Sequence, residues 1–297
     1  MKGKYIILAV LGFSLILSAL SCQPVATGSK KSIVVTYSVL GSVVRELVGD
    51  KATVIVPMPN GLDPHEWEPS AKDIEAINKA DLVIENGLGL EGGMEKALEA
   101  AKSKGVRFFT ASDYITVRHV GTDEGIPSGT LDPHLWPDPL TMKSIVSALV
   151  PALLKELNLD VTTQASDLEN RLDSLNMEVA NIVATIPQPD RKLVTGHESL
   201  GYFAQRYGFK VVGVIIPSLS SQAEVSAADL AALKKAILDN QVKVIFTELG
   251  TSPAVAKTIG DETGVKVIEL NTHTLPGDGS YFTFMRDLAG AITNALK

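Results

Sequence analysis

The sequence predicts an α/β protein built as two similar lobes with parallel sheets, and three observations carry that reading. Short β-branched apolar runs alternate with helical patterns, as in βα repeats. The runs are apolar at consecutive positions, the pattern of strands covered on both faces. A glycine-poor stretch, Leu140 to Ile186, then divides the alternation into two comparable sets. A chain of 297 residues also exceeds the usual single-domain size.

In the first set, strands are expected at Ser32–Thr36, Ala52–Pro57, Asp81–Glu85 and Arg107–Ala111. Helices are expected at Val39–Val48, Ala71–Lys79 and Gly93–Lys102, where apolar residues recur at helical spacing. The dividing stretch opens on Pro137-Asp138-Pro139 and breaks near Leu159. Its second helix, Thr162–Ala184, carries an apolar stripe of Leu168, Leu172, Leu175, Val179, Ile182 and Val183 and is long enough to cross the molecule. A helical connector is stiff, so hinge closure is expected to be limited. In the second set, strands are expected at Lys192–Thr195, Lys210–Ile215, Val242–Thr247 and Val265–Leu270. The accompanying helices are Leu200–Tyr207, Ala223–Leu238, Ala254–Thr263 and Tyr281–Leu296. The division reads as a first lobe over 32–158, a linking helix over 159–187 and a second lobe over 188–297.

The N-terminus has Lys2 and Lys4, an apolar run from Tyr5 to Leu20, then Ser21-Cys22, the layout of a secretory signal over 1–21. Cys22 is the only cysteine, which excludes an internal disulfide, and it stands where cleavage should fall. It is the expected lipid attachment site of a membrane-anchored lipoprotein, with 22–31 as a polar tether. Ala19-Leu20-Ser21 departs from the usual lipobox, in which leucine sits three places before the cysteine. Simple cleavage and an uncleaved anchor are the alternatives. A net charge of −7 without basic clusters excludes nucleic acid as a partner.

Histidine is scarce, with five in the chain, and Leu-Asp-Pro-His-x-Trp occurs twice, at Leu62–Trp67 and Leu131–Trp136. Proline fixes the backbone before each imidazole, and the aspartates can bond locally or orient a ring. A single Asp-Pro-His also reads as a turn with a surface histidine; two copies with matching leucine and tryptophan argue against that. In a parallel sheet the loops leaving the carboxyl ends of strands open on one edge, where ligands bind. His65, His134, His197 and His273 all fall in or beyond such loops, two from each lobe. Four imidazoles converging on a cleft suit Zn²⁺, which accepts nitrogen ligands tetrahedrally. His197 and His273 also fit ordinary loop positions, and His119 reads as a surface residue.

These residues resemble the zinc and manganese receptors of bacterial ABC importers. The resemblance rests on Gly61-x-Asp63-Pro64-His65-x-x-Glu68-Pro69, on Asp132-Pro133-His134-x-Trp136-x-Asp138-Pro139, and on His197 followed by Tyr202-Phe203 and Tyr207-Gly208. It spans essentially the whole mature chain. It implies two (βα)4-type lobes joined by a long rigid helix, with one metal in the interlobe cleft, and it carries His65, His134 and His197 over as ligands. Manganese-selective relatives usually show glutamate at the third position, so His197 inclines the chain to zinc. The family's fourth ligand is commonly a carboxylate, or is replaced by water; here His273 occupies the carboxylate's place. Many zinc receptors also carry a histidine- and acid-rich loop before the second motif. The corresponding Gly121–Thr130 has Asp123 and Glu124 but no histidine, so no metal-gathering loop is expected.

Two other signals compete. Gly87-Leu88-Gly89-Leu90-Glu91-Gly92, with Asp113 downstream, formally satisfies a dinucleotide fingerprint. It follows a third strand, however, and βα turns need glycines anyway. An exported zinc hydrolase would also use three histidines and leave a site for water, with Glu66, Glu68 or Glu198 as base, although H-E-x-x-H is missing. The sequence therefore points to a binding protein rather than an enzyme: an anchored, monomeric extracytoplasmic receptor delivering zinc to an ABC permease. A manganese or mixed divalent receptor is the nearest alternative. Since neutral imidazole is the ligand form, affinity is expected to fall as pH drops through about 6.5.

Overall fold

The computed structural model describes residues 30–121, 124 and 126–297. The signal segment, Cys22, most of the tether and Asp123 lie outside the described residues. The first lobe is a parallel sheet of β1 (Lys31–Val35), β2 (Ala52–Ile55), β3 (Leu82–Glu85) and β4 (Phe108–Thr110), in the order β2-β1-β3-β4. Its helices are α1 (Ser38–Val48), α2 (Ala71–Lys79) and α3 (Glu95–Ser103). The connectors follow as α4 (Pro139–Leu157) and α5 (Thr162–Val183). The second lobe holds β5 (Lys192–Thr195), α6 (Gly201–Tyr207), β6 (Lys210–Val214), α7 (Ala227–Asp239), β7 (Val244–Thr247), α8 (Pro253–Thr263), β8 (Lys266–Glu269) and α9 (Tyr281–Leu296). Here β5 pairs with β6 and β7 with β8, all parallel, and β5 lies alongside β7. The spatial sequence β6-β5-β7-β8 thus repeats that of the first lobe.

The consecutive apolar runs serve two cores at once. Ile33 and Val35 of β1 face one cluster while Val34 faces another with Ile77 of α2 and Leu98 of α3. In the second lobe Val244 and Phe246 join the large central cluster, and Ile245 packs with Ile237 of α7 and Ile259 of α8. Each sheet is therefore covered on both faces, which is why its strands are apolar at successive positions.

The connector is less of a bare bridge than the sequence suggests. Leu168, Leu172, Leu175, Val179 and Val183 of α5 are buried in the central cluster against α4 and α9. The last helix, α9, packs on α5 and reaches α1, so it crosses back toward the first lobe. Tyr281 at its start bonds to the first lobe: its N–H donates to Ser42 Oγ at 3.2 Å and its hydroxyl to the Trp136 carbonyl at 2.7 Å. Helix α7 starts four residues later than the apolar pattern suggests, because Ser226 and Asp229 form a capping box there.

The glycine run after β3 makes a tight turn rather than a phosphate cradle. Gly87 has φ +86°, and a Cβ there would stand 2.3 Å from Ser112 Oγ. The adjoining groove is lined by Glu85, Glu91, Glu95, Glu99 and Asp113, and its cation, Lys102, is already paired with Glu85 and Glu99, so the set disfavours a pyrophosphate.

Candidate metal centre

All four histidines singled out in the sequence meet at the carboxyl edges of the two sheets. His65 leaves the loop after β2, His134 the loop after β4, His197 the loop after β5 and His273 the loop after β8. All are buried, and one ring nitrogen from each lies within 4.8 Å of the others. His65 Nε2 and His197 Nε2 each stand 3.2 Å from His134 Nε2. Tetrahedral nitrogens bound to one Zn²⁺ at about 2.0–2.1 Å are about 3.3 Å apart, so this spacing suits a shared cation. His119 stays outside, exposed, with Nδ1 3.2 Å from the Gly129 carbonyl.

The twin motif fixes its histidines by one local device. In both copies the aspartate side chain accepts the main-chain N–H of the histidine two residues on, at 2.9 Å for Asp63–His65 and for Asp132–His134. The two copies then diverge. Asp132 Oδ1 also lies 2.9 Å from His134 Nδ1, which directs the ring proton to Nδ1 and leaves Nε2 free. Asp63 Oδ2 instead accepts from Ser221 Oγ, 2.6 Å away on the second lobe. The indoles diverge as well. Trp67 packs on the first lobe, whereas Trp136 is fully buried within 5.3 Å of both His134 and His273 and donates Nε1–H to the Thr272 carbonyl at 2.7 Å.

In the second lobe Gly196 precedes His197 because a side chain there would collide with Thr251 Oγ1, 1.9 Å from a built Cβ. Glu248, the first residue past β7, is the acid that sequence reasoning missed. Its Oε1 accepts the His197 main-chain N–H at 3.1 Å and stands 3.1 Å from His197 Nδ1, a charge contact whose direction is poor for a hydrogen bond. Its Oε2 accepts from Ser199 Oγ and, at 2.6 Å, from Thr272 Oγ1. Thr272 Oγ1 in turn is 2.7 Å from His273 Nδ1, and His273 Nε2 is buried without a partner. Its position at a strand's carboxyl end was a usable signal, but nothing in Thr247-Glu248-Leu249 resembles a motif.

A second buried group ties the lobes. Arg118 contacts Asp132 Oδ2 at 2.9 Å, Glu198 Oε1 at 3.2 Å and Glu124, and its main-chain N–H donates to Tyr202 Oη at 2.9 Å. Glu198 thus faces an arginine, and it is not poised as a base.

Burial, then the neighbouring imidazoles, pushes the His65 pKa down to about 2, and burial lowers His134 well below the ordinary value and His273 to about 4. Burial also opposes charge on His197, but Glu248 beside it outweighs that and raises its pKa. Reciprocally, His197 overcomes the effect of burial and holds Glu248 well below the usual carboxylate range. His197 is thereby set apart from the other three, its pKa raised while those of His65, His134 and His273 are lowered.

Residues 33–295 match the family described as ZnuA, zinc-uptake complex component A, periplasmic. The chain is 30% identical over 254 residues to the high-affinity zinc uptake system protein ZnuA of Bacillus subtilis (strain 168), spanning 82% of this chain and 79% of that one. It is 27% identical over 277 residues to the manganese-binding lipoprotein MntA of Halalkalibacterium halodurans, spanning 89% and 88%. The solved structure of the periplasmic zinc binding protein TroA of Treponema pallidum superposes with a TM-score of 0.77 at 27% identity, over 90% of this chain and 99% of that one.

Proposed function

The chain belongs to the family of the periplasmic zinc-uptake component A, and on that premise we propose that it is an extracytoplasmic zinc receptor of an ABC importer. It binds one Zn²⁺ as cargo through Nε2 of His65, His134, His197 and His273. The observation that carries this reading is the convergence of four buried imidazoles, with Nε2 spacings of 3.2 Å about His134. At least two of these rings are oriented from behind: Asp132 lies against His134 Nδ1, and the Thr272 hydroxyl against His273 Nδ1. This is the arrangement metal-binding histidines use. An all-nitrogen set favours Zn²⁺ over the oxygen-seeking Mn²⁺.

The chain is a binding protein and not an enzyme, in keeping with its family. Manganese is the second reading, favoured by the similarity to the manganese-binding lipoprotein. Metal analysis and competitive titration of the purified domain decide between them. Zinc binding tighter than manganese binding supports the first, and the reverse order overturns it. The working division is 32–158 and 188–297 as lobes about the linking helix 159–187, with α9 seated against that helix. The protein acts as a monomer docked on its permease and is held at the membrane by a lipid on Cys22. A Cys22→Ser variant that stays in the membrane fraction would contradict that anchor.

A further inference from the structure

Glu248 is buried, belongs to the second lobe and reaches two histidines by two routes. Oε1 addresses His197, through the main-chain N–H at 3.1 Å and the 3.1 Å approach to Nδ1. Oε2 addresses His273 at one remove: it accepts the Thr272 hydroxyl proton at 2.6 Å, which leaves Thr272 Oγ1 to accept the His273 Nδ1 proton at 2.7 Å. With the Nδ1 proton committed to this relay, His273 presents an unprotonated Nε2, the atom that is buried and unpartnered. Ser199 Oγ donates to the same carboxylate and completes its hydrogen bonding. The Thr272 carbonyl is meanwhile held by Trp136 of the first lobe at 2.7 Å, so the relay's far end is clamped from both sides of the cleft.

We infer that Glu248 is a positioning residue for both second-lobe ligands, holding His197 by its main-chain N–H and by the charge contact at Nδ1 and orienting the His273 ring through the Thr272 hydroxyl, and that it supplies negative charge next to an all-imidazole zinc shell. The inference rests on the zinc reading above. One carboxylate thus does for two histidines what a separate partner does for each in most metal sites, and losing it disturbs half of the shell.

The test measures zinc affinity by chelator competition, the visible spectrum of the Co²⁺-loaded protein, and the thermal midpoint of the metal-free protein, for wild type, Glu248→Gln and Thr272→Val. Glutamine preserves volume but cannot accept both hydroxyl protons and the His197 main-chain N–H. Glu248→Gln is expected to weaken zinc binding about 10–100-fold, the usual effect of losing such a partner, with an altered Co²⁺ spectrum. Thr272→Val cuts only the route to His273 and should weaken binding less. The double variant should fall short of the product of the two single effects, since both act on one relay. Zinc affinity of Glu248→Gln within about threefold of wild type, with an unchanged Co²⁺ spectrum, overturns the inference and leaves the zinc reading standing. A wild type that takes up no zinc overturns both. Should Glu248→Gln fail to fold, Thr272→Val decides alone: wild-type affinity and an unchanged spectrum overturn the relay.

Discussion

In the first lobe each histidine follows its own aspartate by two residues, and the bond between them closes within one turn of chain. In the second lobe neither histidine is bonded to a nearby acid, since Glu198 beside His197 faces Arg118 instead, and Glu248, 51 residues from His197 and 24 from Thr272, serves both. The first arrangement is made by the chain path itself, with proline limiting the alternatives. The second exists only once β5, β7 and β8 lie side by side. The difference teaches that one half of the site is assembled locally, while the other depends on the sheet being complete.

The largest expected effect separates the two halves at the metal. His134 is the nitrogen that both His65 and His197 approach to 3.2 Å, so His134→Ala should cost more than the roughly 10–100-fold typical of an outer partner. His273→Ala should retain measurable binding through three imidazoles. Isothermal titration with a competing chelator orders the two, and equal losses would break the asymmetry.

Stability tests whether the halves are independent at all. Leu172 of α5 is fully buried between elements of both lobes, and Leu172→Ala should destabilise the metal-free protein by about 2–5 kcal/mol. Because α9 returns to α5 and α1, chemical denaturation should remain a single transition. Two separated transitions would show that the lobes hold themselves up separately.

The pH response sharpens the same contrast. Glu248 outweighs burial at His197 and raises its pKa, so a proton entering the metal-free cluster is favoured there over the other three imidazoles, and zinc competes with it. Calorimetry in buffers of different ionisation enthalpy should show proton release on zinc binding that grows as pH falls. For stability the signs are opposite. The raised His197 contributes stability that is complete below its unfolded value near 6.5 and is lost as pH rises through its folded value. The lowered His65 and His273 contribute above about 6.5, and that contribution is lost as pH falls toward about 4 and then about 2. The thermal midpoint of the metal-free protein should therefore decline from about pH 6.5 downward.

The smallest effect concerns the seam. Asn60 exchanges two hydrogen bonds with Leu275 across the lobes, at 2.8 and 2.9 Å. Asn60→Ala removes two bonds worth about 0.5–1.5 kcal/mol each to the folded protein, and the part of that loss felt at the metal should weaken zinc binding only a few-fold. An unchanged affinity would show that this edge carries no part of closure.

The same contrast explains what could be read from the chain alone. The strands were legible because burial on both faces leaves unbroken apolar runs such as Ile33-Val34-Val35, and the first two candidate ligands because Asp-Pro-His is a local device repeated. His197 and His273 were found by their place after strands. Glu248 was not, since one acid among 34 Asp and Glu becomes distinctive only when tertiary packing puts it beside His197 and Thr272. The return of α9 to the first lobe was equally hidden: its apolar stripe specifies that it is buried and does not specify against what. Nor does the duplication of Leu-Asp-Pro-His-x-Trp reveal that only Trp136 abuts the histidines while Trp67 serves the first lobe's core.

The central claim is a closed shell of four imidazoles drawn equally from the two lobes. X-ray absorption at the zinc edge of the metal-loaded protein tests it most directly. The account predicts four nitrogen neighbours at about 2.0–2.1 Å with the outer-ring scattering of imidazole. A shell of three imidazoles completed by a water or carboxylate oxygen would contradict it.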